Sequence, residues 1–559
     1  MNVKISTLLL VAAAVSPCGP LLGGEVERID GPSGQQPNLG SQLASVSADG
    51  RLVAFSSQAT NLIPNDQNAF SDIFLKDRPT GAVTLISRST AGVQSDYASF
   101  CPVITPDGRY VAFESWASNL HPLAQNSHPG NVYVHDVQTG VTDVVNLTST
   151  GGVASTWAAF PSISDDGRFV AFYSPATNLV PNDTNGKFDL FLRDRQLGTT
   201  TRITETAGGV EANDSSWFPT LSGDGRYVAF VSGASNLVPN DFNGFRDVFR
   251  WDRTTGQIEL VSLSTAGAQA NFTCDSDGIG WVSEDGRFIA FSSKATNLVP
   301  GDTNGVEDVF VRDMVLNVTT RVTPNTSNGD SRWPVISGDG RYVSFESRSS
   351  SLVPNGTLQS DVYTFDRIAK EMRRLSEVSA TVAGNDESFA PTISGGGRYV
   401  VFHSRATNLV AGDTNGQPDI FLHAECWATG TNLGPGLAGT GGLVPALAVA
   451  AGPCYPNGHA LTATDVVGGA AGLLLYGVQS ASIPAFGGTV HVDVLQPHAW
   501  APVTFGGPSG TAGAGQFTVD PLDLAVLAGQ SFAVQMLAAD PAAPFGVAMS
   551  NGVELEIGF

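Results

Sequence analysis

Short runs of alternating hydrophobic and polar residues recur along the chain, and one of them returns seven times. Its first copy is Gly50-Arg51-Leu52-Val53-Ala54-Phe55. The other copies begin at Gly108, Gly167, Gly225, Gly286, Gly340 and Gly397. Self-similarity at a fixed period, here roughly 58 residues, indicates one supersecondary unit that is copied and stacked. The pattern therefore predicts a repeat architecture.

The fourth copy shows what one repeat contains. Its alternating runs predict strands at 218–222, 227–232, 247–252 and 258–262. The pair Asp224-Gly225 between the first two runs is the signal for a tight hairpin turn, and a long loop separates the second run from the third. Four antiparallel strands per repeat describe a propeller blade, whereas solenoid repeats are usually shorter.

The two ends of the repeat region predict that the ring closes. The seventh copy stops after Asp419-Ile420-Phe421-Leu422, one strand short of a blade. The segment Val26-Glu27-Arg28-Ile29 matches the missing strand. Closure removes open sheet edges, which otherwise invite aggregation. We therefore expect an all-β chain with a seven-bladed propeller at 25–426, closed by an N-terminal strand.

The repeats resemble those of TolB-type, WD-repeat-like propellers of exported bacterial proteins. The segments that carry the resemblance are Ser222-Gly223-Asp224-Gly225-Arg226-Tyr227-Val228-Ala229-Phe230 and Asp189-Leu190-Phe191-Leu192-Arg193-Asp194. It covers residues 25–426 and implies the propeller fold. That family includes binding scaffolds and interaction modules, related propellers are non-catalytic domains of peptidases, and one branch cleaves oligogalacturonate. A binding function and an enzymatic function therefore both stay open.

Two charged positions recur too regularly to form a single site. An arginine follows the glycine in all seven copies, and an aspartate ends the third strand in six. The arginines are Arg51, Arg109, Arg168, Arg226, Arg287, Arg341 and Arg398, and the aspartates are Asp77, Asp136, Asp194, Asp252, Asp313 and Asp366. We interpret them as structural partners joined by forked hydrogen bonds.

The long loop between the second and third strands carries the strongest chemical signal. In five copies it places an Asp, an Asn and a second Asp at positions 1, 3 and 7. These residues are Asp66, Asn68 and Asp72; Asp183, Asn185 and Asp189; Asp241, Asn243 and Asp247; Asp302, Asn304 and Asp308; and Asp413, Asn415 and Asp419. Oxygen ligands at this spacing suit Ca²⁺, the one cofactor we expect. The alternative is a turn capped by Asx hydrogen bonds.

The same loops define the candidate binding face. Together with the connections between blades they form the long-loop face of the ring, opposite the tight turns. Those connections hold Tyr97, Trp157, Trp217, Phe272, Trp333 and Phe389. Binding residues concentrate in such loops, although packing between blades is an equal alternative. We expect a protein or polysaccharide partner here, and no nucleic acid, because the net charge is −23.

The chain outside the repeats predicts export and a second domain. Residues 1–24 resemble a signal peptide with the apolar stretch 8–15, and Cys18 leaves a lipoprotein alternative open. Residues 427–559 lack Lys and Arg and contain short apolar strands, which predict a β-sandwich. A disulfide between Cys426 and Cys454 is expected in an exported protein. No stretch is long enough to span a membrane.

Catalytic motifs are absent from the sequence. There is no G-x-S-x-G elbow and no H-E-x-x-H. His121, His128 and His135 are interpreted as solvated loop residues rather than as ligands of a transition metal, whereas His403 and His423 in the seventh repeat could approach a central site. We therefore expect a non-enzymatic binding or scaffold protein. The alternative is a propeller enzyme, a polysaccharide lyase or hydrolase, with its site at the channel mouth.

Overall fold

The computed structural model describes residues 25–424, apart from 33–34, 125–129, 207, 276–280 and 380; beyond residue 427 it describes strands alone. The predicted signal peptide and both cysteines of the expected disulfide lie outside the described residues. The chain divides into two compact units, of which one is Val26–His423 and the other includes Ala424–Phe559. Within the described residues, no helix is long and apolar enough to cross a membrane.

The unit Val26–His423 is a β-propeller of seven four-stranded sheets, called blades 1 to 7 in chain order. The strands of blades 1 to 4 are Ser41–Val46, Leu52–Ser57, Asp72–Asp77 and Val83–Leu85; Ser99–Ile104, Tyr110–Ser115, Asn131–Asp136 and Thr142–Val144; Ala159–Ile163, Phe169–Ser174, Asp189–Asp194 and Thr199–Arg202; and Ser216–Leu221, Tyr227–Ser232, Asp247–Asp252 and Gln257–Leu260.

Blades 5 to 7 follow the same order. Their strands are Cys274–Asp275, Phe288–Ser293, Asp308–Asp313 and Val318–Arg321; Ser331–Ile336, Tyr342–Ser347, Asp361–Asp366 and Glu371–Arg374; and Ser388–Ile393, Tyr399–Ser404 and Asp419–Ala424, beside which Glu25–Arg28 lies as the fourth strand. A short hairpin, Glu377–Ser379 with Val382–Ala383, joins blades 6 and 7. The 3-10 turn Pro122–Ala124 is the one helical element in the described residues.

The glycine of each repeat is explained by packing between blades. Gly167 has a φ of +70°, and a Cβ there would come within 2.3 Å of the Tyr110 ring of the preceding blade. Gly50 in blade 1 is related in the same way to Tyr399 in blade 7, at 2.5 Å. Only glycine combines a positive φ with so close an approach. The repeated motif is thus the contact by which each blade packs on its neighbour, and blade 1 packs on blade 7.

The repeated arginines and aspartates are paired, as the sequence indicated. The Arg168 Nη2 to Asp194 Oδ2 distance is 2.7 Å, and Arg109 to Asp136 is 3.0 Å. Equivalent pairs join Arg51 to Asp77, Arg226 to Asp252, Arg287 to Asp313 and Arg341 to Asp366. In the second to seventh repeats the guanidinium also lies over the aromatic ring that follows it in the chain, as Arg168 does over Phe169 at 4.7 Å. These residues stabilise the blades rather than forming a site.

The first strands surround a central channel. A cavity of about 300 Å³ at the tight-turn end is lined by first-strand and turn residues of all seven blades. Backbone hydrogen bonds connect the turns there, for example from Asp165 N to Gly223 O and from Gly223 N to Glu284 O, at 2.9 and 3.0 Å. The ring is therefore tied together at this end, and the other end opens on the long-loop face.

In the second unit, the residues described beyond residue 427 all lie in β-strands. One sheet has six strands: Ala428–Asn432, Val553–Ile557, Gln530–Ala539, Ala471–Gly477, Ala499–Thr504 and Val547–Met549. Three more strands form a second sheet: Ala446–Ala450, Ala460–Val466 and Gly515–Thr518. A hairpin is formed by Ser482–Ala485 and Gly488–His491.

Candidate functional site

Each blade contributes one cross-strand pair to the long-loop end of the channel. The pair joins a residue near the start of the first strand to the residue before the final serine of the second strand. From blade 1 to blade 7 the pairs are Gln42 and Ser56, Phe100 and Glu114, Ala159 and Tyr173, Trp217 and Val231, Asp275 and Ser292, Arg332 and Glu346, and Phe389 and His403. The rest of the repeat is regular, so the residues of this pair are where the blades differ most in chemical character.

A bulge in the first strand follows six of these pairs, whereas in blade 5 the residues after Asp275 lie outside the described part of the chain. The register shifts between Arg332 and Val335, where Trp333 has a φ of +53°. The same departure recurs at Leu43, Cys101, Phe160, Phe218 and Ala390. A positive φ is uncommon outside glycine, and bulges redirect side chains next to functional sites. Here the bulge places Leu43 and Trp333 at the channel mouth.

Aromatic rings fill the mouth on the side of blades 3 and 4. Phe160 and Phe218 meet edge to face, with ring centroids 5.1 Å apart. Phe160 also stacks on Tyr173 at 5.7 Å. On blade 2, Glu114 is buried and accepts a hydrogen bond from Trp116 Nε1 at 3.0 Å. These side chains, which were not among the predicted aromatic residues, pack together in this half of the mouth.

The opposite half of the mouth encloses a cavity of about 600 Å³. We call it the mouth cavity; it is lined by Gln42, Leu43, Asp275, Ser292, Glu307, Arg332, Trp333, Glu346, Phe389 and His403. These residues come from blades 5, 6, 7 and 1. Polar, charged and aromatic side chains converge here from four blades, which makes the mouth cavity the candidate functional site.

Hydrogen bonds fix the charged groups of the mouth cavity. Arg332 Nε donates to Glu307 Oε2 at 2.8 Å, and its Nη2 lies 3.1 Å from Asp330. Ser292 Oγ donates to the other Glu307 oxygen at 2.8 Å. Glu346 accepts from the backbone N–H of Ala390 at 3.2 Å. The cavity thus presents one anchored guanidinium among carboxylates.

Three groups in the mouth cavity have shifted pKa values: Glu346, His403 and Arg332, whose pKa is raised, against burial, by the charge of Glu307. Burial raises the pKa of Glu346 above its ordinary value, against the hydrogen bond from Ala390. Burial lowers the pKa of His403 to about 4, so this imidazole is neutral at pH 7. The His403 ring lies against Phe389, with centroids 5.5 Å apart. Burial thus shifts the pKa of both Glu346 and His403 toward the neutral form.

The Asp-x-Asn loops lie elsewhere, at the start of the third strands. In each of them the Asn is part of an Asx turn: Asn185 Oδ1 accepts from Lys187 N at 2.9 Å, and its Nδ2 donates to Asp189 at 2.9 Å. Equivalent bonds tie Asn68 to Asp72, Asn243 to Asp247, Asn304 to Asp308 and Asn415 to Asp419. The described residues contain no group of three or more metal-ligating acidic, His or Cys side chains.

The other aromatic residues predicted for the long-loop face, and the two free cysteines, do not line the mouth cavity. Tyr97 is 43% exposed, and its ring is nearly parallel to that of Trp116, which no prediction named, 6.3 Å away on the long-loop face. Phe272 is also exposed, whereas Trp157 and Trp217 pack against Phe188. Cys101 and Cys274 are buried free thiols.

The interpretation of His135 as a solvated loop residue was wrong. It lies in the strand Asn131–Asp136, is buried, and its Nδ1 is 2.8 Å from Thr142 Oγ1. His128 lies outside the described residues.

The fold and mouth define the class of protein as a seven-bladed β-propeller, whose solved neighbours include TolB-like and other propeller proteins. No protein-family model matches the chain, and no curated protein matches it. An oligogalacturonate lyase in complex with manganese is 14% identical, covering 75% of this chain and 98% of that chain, with a TM-score of 0.45.

Two further structures show the same level of likeness. The propeller domain of the Trilobed protease from Pyrococcus furiosus is 13% identical, covering 69% of this chain and 95% of that chain, with a TM-score of 0.43. A TolB-like protein from Agrobacterium tumefaciens is 16% identical, with 61% and 93% coverage and a TM-score of 0.34. At these values the likenesses carry no functional argument.

Proposed function

We propose that the chain is an exported, non-enzymatic binding protein that binds the end of a polysaccharide chain in the mouth cavity. The observation that carries this proposal is the asymmetry of the mouth, which is packed on blades 3 and 4 and hollow on blades 5, 6, 7 and 1. A volume of about 600 Å³ is in the range of small-ligand sites. Trp333 and Phe389 offer ring faces to the C–H faces of a sugar, while Arg332 and Glu307 offer partners to its hydroxyls.

The charges of the mouth cavity favour a neutral saccharide over an acidic one. Among the described residues, three carboxyl groups line the cavity, on Asp275, Glu307 and Glu346, against one guanidinium, that of Arg332. That guanidinium is already bonded to Glu307 and Asp330. A uronate would therefore meet like charges without a free cation, and such juxtaposition weakens binding.

The proposed architecture includes closure by the N-terminal strand and a C-terminal β-sandwich. Closure is supported by the hydrogen bond from Ile29 N to Ile420 O at 2.8 Å. It is also supported by Arg78 of blade 1, which lies 2.7 Å from Glu27 and over the Tyr399 ring at 5.6 Å. The separate sheets of the second unit support the sandwich, and the apolar stretch 8–15 supports export.

Affinity electrophoresis of the full chain tests the binding function. Gels that contain a neutral glucan, mannan or xylan are compared with gels that contain pectate or alginate. We expect at least one neutral polysaccharide to retard the protein, and we expect the Trp333→Ala variant to lose the retardation. Trp217→Ala is the matched control, because Trp217 belongs to the packed half of the mouth. No retardation by any polysaccharide, or equal retardation of both variants, would refute the proposal.

The second candidate function is a propeller enzyme that acts on polysaccharide. It is favoured by the convergence of His403, Glu346 and Arg332 from two blades, since a carboxyl group with a raised pKa suits a general acid. Reducing ends report a hydrolase, and ultraviolet absorbance of an unsaturated product reports a lyase. Turnover that is lost in Glu346→Gln but kept in Glu114→Gln, the equivalent residue of blade 2, would replace binding by catalysis.

A further inference from the structure

The aspartate pairs of the long loops differ in which side chains donate hydrogen bonds or bring positive charge to them. In blade 5, Arg321 lies 2.9 Å from Asp302 and 3.5 Å from Asp308. In blade 3, Arg202 lies 3.9 Å from Asp183. In these two blades a guanidinium therefore lies beside the pair, although Arg202 is closer to Glu211 and Glu205, at 2.6 and 3.0 Å.

The pairs in blades 1 and 7 are bound by side-chain amides. In blade 1, Gln94 Nε2 donates to both Asp66 and Asp72, at 2.7 and 2.9 Å. In blade 7, Gln36 Nε2 donates to Asp413 at 2.8 Å, and Arg28 lies 3.8 Å from Asp419. Four of the five aspartate pairs thus have a glutamine side-chain amide or an arginine guanidinium beside them.

Blade 4 lacks both kinds of partner. Register shows why the guanidinium is missing: Arg321 pairs with Phe310 and Arg202 with Phe191, and the residue that pairs with the equivalent Phe249 is Leu260. The amide is missing too, because Gln269 donates to the backbone oxygen of Asn240 at 2.7 Å. Gln269 also accepts from the backbone N–H of Phe242 at 3.2 Å.

The oxygens of the blade 4 pair are buried and incompletely bonded. Asp241 is 5% exposed, and its Oδ1 is buried without a hydrogen-bond partner among the described residues. Asp247 is fully buried and accepts from Ser262 Oγ at 2.5 Å and Asn243 Nδ2 at 2.7 Å. Burial, and then the charge of nearby Asp241, raises the pKa of Asp247 to about 6. Two neighbouring carboxylates are therefore buried together with no cationic side chain beside them among the described residues, which is unfavourable at neutral pH.

We propose that Asp241 and Asp247 bind one Ca²⁺ ion, in the role that a guanidinium has in blades 3 and 5. Carboxylate oxygens are the ligands that this hard cation prefers, and Ca²⁺ tolerates an irregular set completed by water. The loop is open to solvent, since Phe242 next to Asp241 is 82% exposed. This loop is one of the five that the sequence predicted as calcium sites, and its assignment does not depend on the function of the mouth cavity.

Calcium titration calorimetry and melting curves of the chelator-treated full chain test this site. We expect saturable calcium binding and a raised melting temperature for the wild type, and loss of both in Asp241→Asn. Leu260→Arg supplies the guanidinium of the other blades, so it should abolish calcium binding and raise the melting temperature of the calcium-free protein. Arg321→Leu in blade 5 should create a second calcium site.

Two results would overturn the assignment. One is the absence of saturable heat and of any melting shift up to about 10 mM calcium, above the range of weak extracellular sites. The other is calcium binding that Asp241→Asn and Leu260→Arg leave unchanged. Asp241→Asn keeps the shape of the side chain, so it serves as the test if Leu260→Arg does not fold.

Discussion

Replacement of Gly167 by alanine should test the contact that joins the blades. The new Cβ would come within 2.3 Å of the Tyr110 ring, and the backbone φ there is +70°. The ring cannot withdraw freely, because the guanidinium groups of Arg109 and Arg195 lie 4.8 and 5.2 Å from its centroid. Both the backbone and the neighbouring blade therefore resist the substitution.

Gly186→Ala is the matched control for that substitution. Gly186 has a φ of +64°, but a Cβ there would meet nothing within 4 Å. Each variant should lose about 1–2 kcal/mol through left-handed backbone strain. Gly167→Ala should lose about 1–3 kcal/mol more through overpacking. Urea unfolding followed by tryptophan fluorescence measures both, and equal losses in the two variants would refute the role of the glycine in blade packing.

Three other properties follow from buried groups in the propeller. Arg193 donates to the backbone oxygens of Thr148 and Gly198 at 3.1 and 2.9 Å, so Arg193→Met should lower the free energy of unfolding by about 1.5–3 kcal/mol, and an unchanged urea midpoint would contradict this. Because the pKa of Asp247 is raised to about 6, from 3.8, its contribution to stability is greatest below about pH 4 and is lost as the pH rises through about 6. In calcium-free buffer, Asp247→Asn should therefore reduce the dependence of the melting temperature on pH between about 4 and 6. An unchanged slope of melting temperature against pH would contradict this. Burial raises the pKa of the Cys101 and Cys274 thiols, so iodoacetamide should leave both unlabelled in the native protein, as peptide mapping can show.

The strands were predictable where the alternation is regular. The runs at 227–232 and 247–252 coincide with the observed strands Tyr227–Ser232 and Asp247–Asp252. The first strand begins two residues earlier than predicted, at Ser216, because the bulge between Trp217 and Thr220 breaks the alternation. A positive φ at Phe218 leaves no mark in a hydrophobic pattern.

The mouth cavity was only partly predictable. The sequence placed Trp333 and Phe389 on the long-loop face but did not indicate Arg332 and Glu346. Those two residues stand at positions that vary between the repeats, and a repeat pattern shows only what its copies share. A comparison of the residue before the final serine of each second strand would have found them. That position holds Ser56, Glu114, Tyr173, Val231, Ser292, Glu346 and His403, seven side chains with little common chemistry.

The partners of the aspartate loops could not be predicted from the local motif. Asp183 and Asp241 stand in nearly identical loops, and their difference arises from Arg202 and Leu260 at the end of the fourth strand. Only the register of the blade places those residues beside the loop. The motif thus indicates a turn with two carboxylates, whereas residues on the neighbouring strands determine which groups neutralise their charge.

Hydrogen exchange with and without a saturating neutral oligosaccharide tests the binding site most directly. We expect protection to be confined to the backbone around Leu43, Trp333, Glu346, Ala390 and His403, which surround the mouth cavity. Protection should be absent around Phe160 and Phe218 on the packed half. Protection centred on the tight-turn face or on residues 427–559, with the mouth cavity unchanged, would contradict the proposed function.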